Sequence, residues 1–122
     1  MSIKPVQEHV YLLHFEGPIA PGRHTTQHYI GHATNLPQRI QAHARGRYNG
    51  GGNGCAKLCA VAHARGIAFR VARVWRGGYK LERRLKALKA GRRLSPISGR
   101  PLPLRYADEV PAEEIADLLL AF

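Results

Sequence analysis

The stretch QHYIGHATNLPQRIQAH, Gln27 to His43, carries one tyrosine, three histidines and one arginine where a turn leads into a helix. Imidazoles exchange protons near neutral pH, and a guanidinium holds a phosphate or carboxylate through a fork of N–H donors. Arg39 and His43 stand four residues apart, so a helix presents both on one face. A segment needed only for packing would carry apolar residues. This one has the composition of an anion-binding site with proton-transfer groups beside it.

The charge of the whole chain points the same way. Lys and Arg number 19 against 8 Asp and Glu, a formal net charge of +11. Every Lys and Arg lies at or before Arg105, five of the eight acids lie between Asp108 and Asp117, and between Gly17 and Ala107 the only carboxylate is Glu82. Protein surfaces ordinarily intersperse both signs. A long basic stretch with one acid implies a polyanionic partner, bound through counterion release and electrostatic steering. Nucleic acid is the expected partner, and a basic RNA- or ribosome-associated protein remains an open alternative.

At 122 residues with 44% hydrophobic content, the chain can bury one modest core, so a single domain is expected over residues 1–122. No apolar run reaches the roughly 20 residues of a membrane span, and the opening MSIKPVQEH lacks the apolar stretch of a signal peptide. A cytoplasmic protein with no membrane partner is the expectation. Cys55 and Cys59, with His63, recur every four residues on one helical face, but zinc wants a fourth ligand and usually a turn between pairs. Thiols packed inward are the simpler reading.

HVYLLHF (His9 to Phe15) reads as a strand ending at Gly17-Pro18, and QHYIG as a second, paired antiparallel with it across the loop EGPIAPGRHTT. Thr34 or Asn35 can cap a helix that tolerates Pro37 in its first turn, turns Leu36, Ile40 and His43/Ala44 inward, and ends near Gly46. GRYNGGGNG fits no phosphate-binding fingerprint and reads as a flap. A second helix runs from Cys55 to about Arg65, stopped by Gly66. IAFRVARVW is a strand with Ile67, Phe69 and Val71 on one face. YKLERRLKALKA is a basic helix with Leu81, Leu85 and Leu88 in one stripe. GRRLSPISGRPLP is an extended tail, and a last helix follows Pro111, with Glu113 and Glu114 at its positive end.

The order is β-β-α-α-β-α with a short C-terminal helix: an α/β domain with a small three-stranded antiparallel sheet flanked by helices. VYLL on the first strand, HYIG on the second, LPQRIQAH on the next helix and LERRLKALK after the third strand resemble the GIY-YIG nuclease domain over roughly residues 9–90. The YIG triplet is literal at Tyr29–Gly31, while the first triplet is reduced to Tyr11. The segment 91–122, tail and acidic helix, lies outside the resemblance.

The resemblance implies a divalent-metal-dependent endonuclease that hydrolyses phosphodiester bonds. Its helical arginine falls on Arg39, its next-turn His or Tyr on His43, and its helical glutamate on Glu82. It also implies that the first tyrosine, Tyr11, acts as general base or orients the water, with Tyr29 completing the pocket. His32 stands where relatives place a basic or polar residue.

Glu82 suits one hard ion, Mg2+ or Mn2+, because such ions take carboxylate oxygen and two-metal sites need several bridging acids. Its ordinary use would be an i,i+4 pair with Lys86. Arg45, Arg47 and Lys57 around the glycine-rich loop, with His32 and Lys86, are candidate phosphate contacts. Many relatives place an asparagine after the glutamate helix, whereas Asn35, Asn49 and Asn53 all precede Glu82. DNA is expected over RNA, with low sequence specificity, because no appended reader domain is present. A noncatalytic nucleic-acid-binding module on the same scaffold is the alternative.

Overall fold

HVYLLHF forms β1 (His9–Phe15), buried along its length except at the half-exposed His14. Such burial comes from its place between two partners. β2 (His28–Ala33) pairs antiparallel on one side, and β3 (Phe69–Arg76) pairs antiparallel on the other. A strand covered on both faces reads as a nearly unbroken apolar run. The computed structural model describes residues 8–17, 27–46, 57–88, 94 and 103–120, and the statements that follow concern these. The glycine-rich flap, Arg47, Cys55, the loop after Pro18 and most of the 91–103 tail lie outside them.

The pleat sorts the strands into two cores. Tyr11, Leu13 and Phe15 face one way, where α1 (Leu36–Arg45), α2 (Lys57–Ala64) and α4 (Ala112–Leu120) pack with Leu36, Cys59, Ala62 and Val110. Val10, Leu12 and Ile30 face the other way, meeting Trp75, Leu94 and Leu85 of α3 (Tyr79–Ala87). The register of β1 with β3 slips between Leu12, paired with Arg73, and Leu13, paired with Val71. Ala72 is the additional residue, so the inward face passes from Val71 to Val74. Fixed alternation from Ile67 therefore holds only up to Ala72.

Each helix closes where its chemistry dictates. The Asn35 side chain accepts the Gln38 N–H at 3.2 Å, capping α1 ahead of Pro37, and Gly46, at φ 67°, ends it with its N–H on the carbonyls of Ala42 and His43. Cys59 is buried and unbridged, as inward packing requires.

The sheet has four strands rather than the expected three, in the order β2-β1-β3-β4, giving β-β-α-α-β-α-β-α. β4 is only Asp108–Glu109, paired with Arg76 and Trp75. Two acids have no strand propensity of their own. Side chains on β3 hold them: Arg73, 5% exposed in its side chain, donates to Glu109 at 2.9 and 2.5 Å and to the Leu94 carbonyl at 3.1 Å, with its guanidinium 4.8 Å from the Trp75 ring centre. The second strand also runs on to Ala33 instead of stopping at Gly31.

Removing the Glu109 carboxylate leaves a buried guanidinium short of its anion. Glu109→Ala should cost about 2 kcal/mol in urea unfolding. Asp108→Ala, which breaks only the exposed pair with Arg76, should stay within about 0.5 kcal/mol.

Candidate active site

Edge strand β2 lies between α1 on one face of the sheet and α3 on the other, and an open cavity of about 440 Å3 forms beside it. Tyr29 and His32 of β2, Arg39 of α1, and Glu82 and Tyr79 of α3 line it, with the α1 cap Asn35 at its wall. Residues from opposite faces of the sheet meet there because, among the described residues, no further strand pairs with this edge to keep them apart. Four of the sequence candidates, Tyr29, His32, Arg39 and Glu82, thus share one cavity. A second groove of about 600 Å3 lies between α1, α2 and β3; Ile40, Phe69 and Val71 make its walls largely apolar, and His43, His63 and Cys59 also line it, without an acid or an arginine beside them.

Tyr11 and His43 do not line the first cavity; they form the layer behind it. Both are fully buried, with the Tyr11 hydroxyl 2.5 Å from His43 Nε2. Arg39 is engaged by the Tyr11 hydroxyl and, more weakly, by Tyr29. A guanidinium only donates, so the Tyr11 oxygen accepts from Arg39 and gives its one proton to His43. Burial, then the nearby Arg39 charge, pushes His43 down to about 4, so its ring is neutral at pH 7 and Nε2 can accept. Burial, then the neighbouring Tyr29, pushes the Tyr11 phenol up, with Arg39 opposing. Tyr29 is also raised by burial, against the pull of Lys86. The result is a fixed cation, Arg39, steadied by two neutral phenols.

The ring of Tyr11 also explains the last residue of the YIG triplet. Gly31 lies opposite Tyr11, and a Cβ there would meet the Tyr11 hydroxyl oxygen at 2.5 Å and the Tyr29 ring at 2.8 Å. Only glycine leaves room for both rings.

Glu82 is engaged through both oxygens: Oε1 with Lys86 Nζ at 2.9 Å and Oε2 with His32 Nδ1 at 3.1 Å. The i,i+4 pair with Lys86 therefore exists together with the cavity position, and Lys86 also sits 5.5 Å from the Tyr29 ring centre. Arg45 is exposed on the last turn of α1 and is not among the cavity-lining residues; the Lys57 side chain lies outside those described. His28, the third histidine of the opening stretch, pairs instead with His14 across β1 and β2 at 2.9 Å.

Glu8, which no sequence motif singles out, places its Oε1 3.3 Å from His32 Nε2. His32 thus stands between two carboxylates, on residues 74 positions apart in the chain. Glu8 is held there because its carbonyl accepts the Gly77 N–H just before α3. Among the described residues, no group of three or more His, Cys, Asp or Glu is placed to hold a metal ion. No family model matches the chain, and no curated protein or solved structure matches it.

His43 carries a pH signature. Its folded value of about 4 lies below the ordinary 6.5, so between these values the unfolded chain binds a proton that the folded one does not. The contribution is complete above about pH 6.5 and is lost as pH falls towards 4, on the order of 3 kcal/mol. His9, also lowered by burial and Arg76, adds to the slope. His43→Gln keeps an acceptor for Tyr11 but cannot titrate. Unfolding free energy measured from pH 7 to pH 4 should therefore fall less steeply in this variant than in the native protein.

Proposed function

We propose that the protein is a GIY-YIG-type endonuclease that hydrolyses phosphodiester bonds, with DNA as its substrate, low sequence specificity and Mg2+ or Mn2+ as its cofactor. The observation that carries this reading is that Tyr29, His32 and Arg39 of one short stretch meet Glu82, 43 residues beyond Arg39, around one open cavity on a strongly basic chain. A phosphodiester needs its developing negative charge stabilised by donors fixed in advance. Arg39 answers that need, because Tyr11 behind it and Tyr29 beside it steady its donors before substrate arrives. The Tyr29 ring in the cavity wall would help orient the attacking water, and Tyr11 would act from beneath by positioning Arg39, not by meeting the substrate. His32 would donate to a phosphoryl or leaving oxygen.

The residues present fit a hard divalent ion. Mg2+ keeps several waters and is commonly held by one or two carboxylates plus substrate phosphate, which Glu82 in an open polar cavity can satisfy in exchange for its contacts with Lys86 and His32. When bound, such an ion would supply charge neutralisation to the phosphoryl group. Exposed cations on α3, including Lys80, Arg83 and Arg84, would hold flanking phosphates without reading sequence. The double engagement of Glu82 favours the second reading, a binding module without catalysis, in which Glu82 serves only its ion pairs.

Cleavage assays on labelled single-stranded, branched and duplex DNA, and on RNA, with and without magnesium, separate the two. Glu82→Gln should abolish cleavage and leave affinity equal or higher, since one negative charge leaves a phosphate site. Arg39→Ala should slow cleavage by about 100- to 1,000-fold while weakening binding far less. Tight binding with no product from any of these substrates, in magnesium or manganese, would overturn the endonuclease reading in favour of the module.

A further inference from the structure

Tyr79 is an aromatic residue that the fold does not need. It opens α3, yet the helix is anchored by the buried Leu85 and by Leu81, while Tyr79 is 59% exposed. Its side chain caps nothing, since Gly78 holds the N-cap position. The ring instead stands at the wall of the Arg39–Glu82 cavity. Arg83, one turn on, lies 5.7 Å from its centre, and the His32 ring meets it edge-on at 6.5 Å and 68°. A large ring left in water beside cations and a polar cavity has the character of a ligand contact. The chemistry recurs on the same helix: the Arg84 guanidinium lies 3.7 Å from the ring centre of Tyr106, itself 43% exposed.

We propose that Tyr79 is a stacking platform for an unpaired nucleobase adjacent to the phosphate held at Arg39 and Glu82, so that the preferred nucleic acid is single-stranded at that point. Tyr79 and Glu82 are three residues apart on one helix, which places their Cβ atoms about 5–6 Å apart. That is the scale on which a nucleotide's base and its own phosphate are separated. In a duplex the faces of the bases are covered by their neighbours, leaving only phosphates and groove edges for a protein. A tyrosine beside a phosphate cavity can meet a base face only where the strand is unpaired, and stacking of this kind accepts any base. The inference deepens the nucleic-acid reading of this cavity, but does not require that the bond be cut.

The test is equilibrium binding in EDTA, which removes cleavage from the measurement. A short fluorescein-labelled oligodeoxynucleotide and the blunt duplex of the same sequence are titrated with native protein, Tyr79→Ala and Tyr79→Phe, each checked for an unchanged thermal midpoint. Tyr79→Ala should weaken single-strand binding by about tenfold or more while duplex binding changes by less than about twofold, and Tyr79→Phe should keep native affinity. A 2-aminopurine base placed along the strand should be quenched by native protein and Tyr79→Phe, and not by Tyr79→Ala. Native single-strand affinity in Tyr79→Ala, or equal losses for single strand and duplex, would overturn the proposal. Base stacking without cleavage in magnesium would overturn the nuclease reading alone; cleavage with a Tyr79→Ala affinity unchanged would overturn this inference alone.

Discussion

The contact between the Tyr11 hydroxyl and His43 Nε2 ties together parts of the molecule that would otherwise be independent. Tyr11 sits in the middle of the interior strand, its ring lies over Gly31 of β2, and its oxygen receives Arg39 while its proton goes to α1. One buried phenol therefore fixes the spacing of β1 to β2, the rotation of α1 and the direction of the cavity arginine. A buried hydroxyl without partners would be costly. Here both its donor and its acceptor roles are met, and each partner is a residue of the candidate site or its support. Stability and site geometry are consequently the same interaction seen from two sides.

The second constraint is the free edge of β2. Because α1 covers one face of the sheet and α3 the other, groups from the two layers meet only around that edge. Arg39 comes from one helix and Glu82 from the other, and His32 and Tyr29, neighbours of opposite facing on the same strand, bridge between them. The opposite margin is closed differently. Arg73 reaches across to Glu109 and draws the acidic segment into the sheet, so the carboxylates near the chain's end neutralise arginines of β3 rather than the basic helix α3. The positive charge on α3 is therefore not cancelled by those acids.

Much of the framework was legible from the order of residue types. Two short β-rich runs around a loop, the Asn35 cap before Pro37, the Gly46 stop, and the inward Leu81 and Leu85 of YKLERRLKALKA each act through neighbours in the chain, and local chemistry is enough to read them; Leu88, expected in the same stripe, is 41% exposed because α3 ends at Ala87. The slip at Ala72 and the pairing of Asp108–Glu109 were not legible. Both arise from contacts between residues far apart in sequence, and the two acids that form β4 are poor strand formers in isolation. The same holds for Glu8, which the sequence leaves as one acid before a strand and the fold brings to His32.

What the sequence determined by itself is the inventory of the site: a literal YIG, an arginine and a histidine four apart on a helix, and one glutamate alone in a basic stretch. Residue type and helical spacing set these, since side-chain chemistry and the repeat of the backbone are local properties. The tertiary structure decided the roles. It buried Tyr11 and His43 behind the cavity and left Tyr29, His32, Arg39 and Glu82 on its surface, and it exposed Tyr79 at the mouth. Burial depends on which layers close over a residue, and here that was determined by how two helices pack on opposite faces of one sheet, a relation that no short stretch of chain encodes.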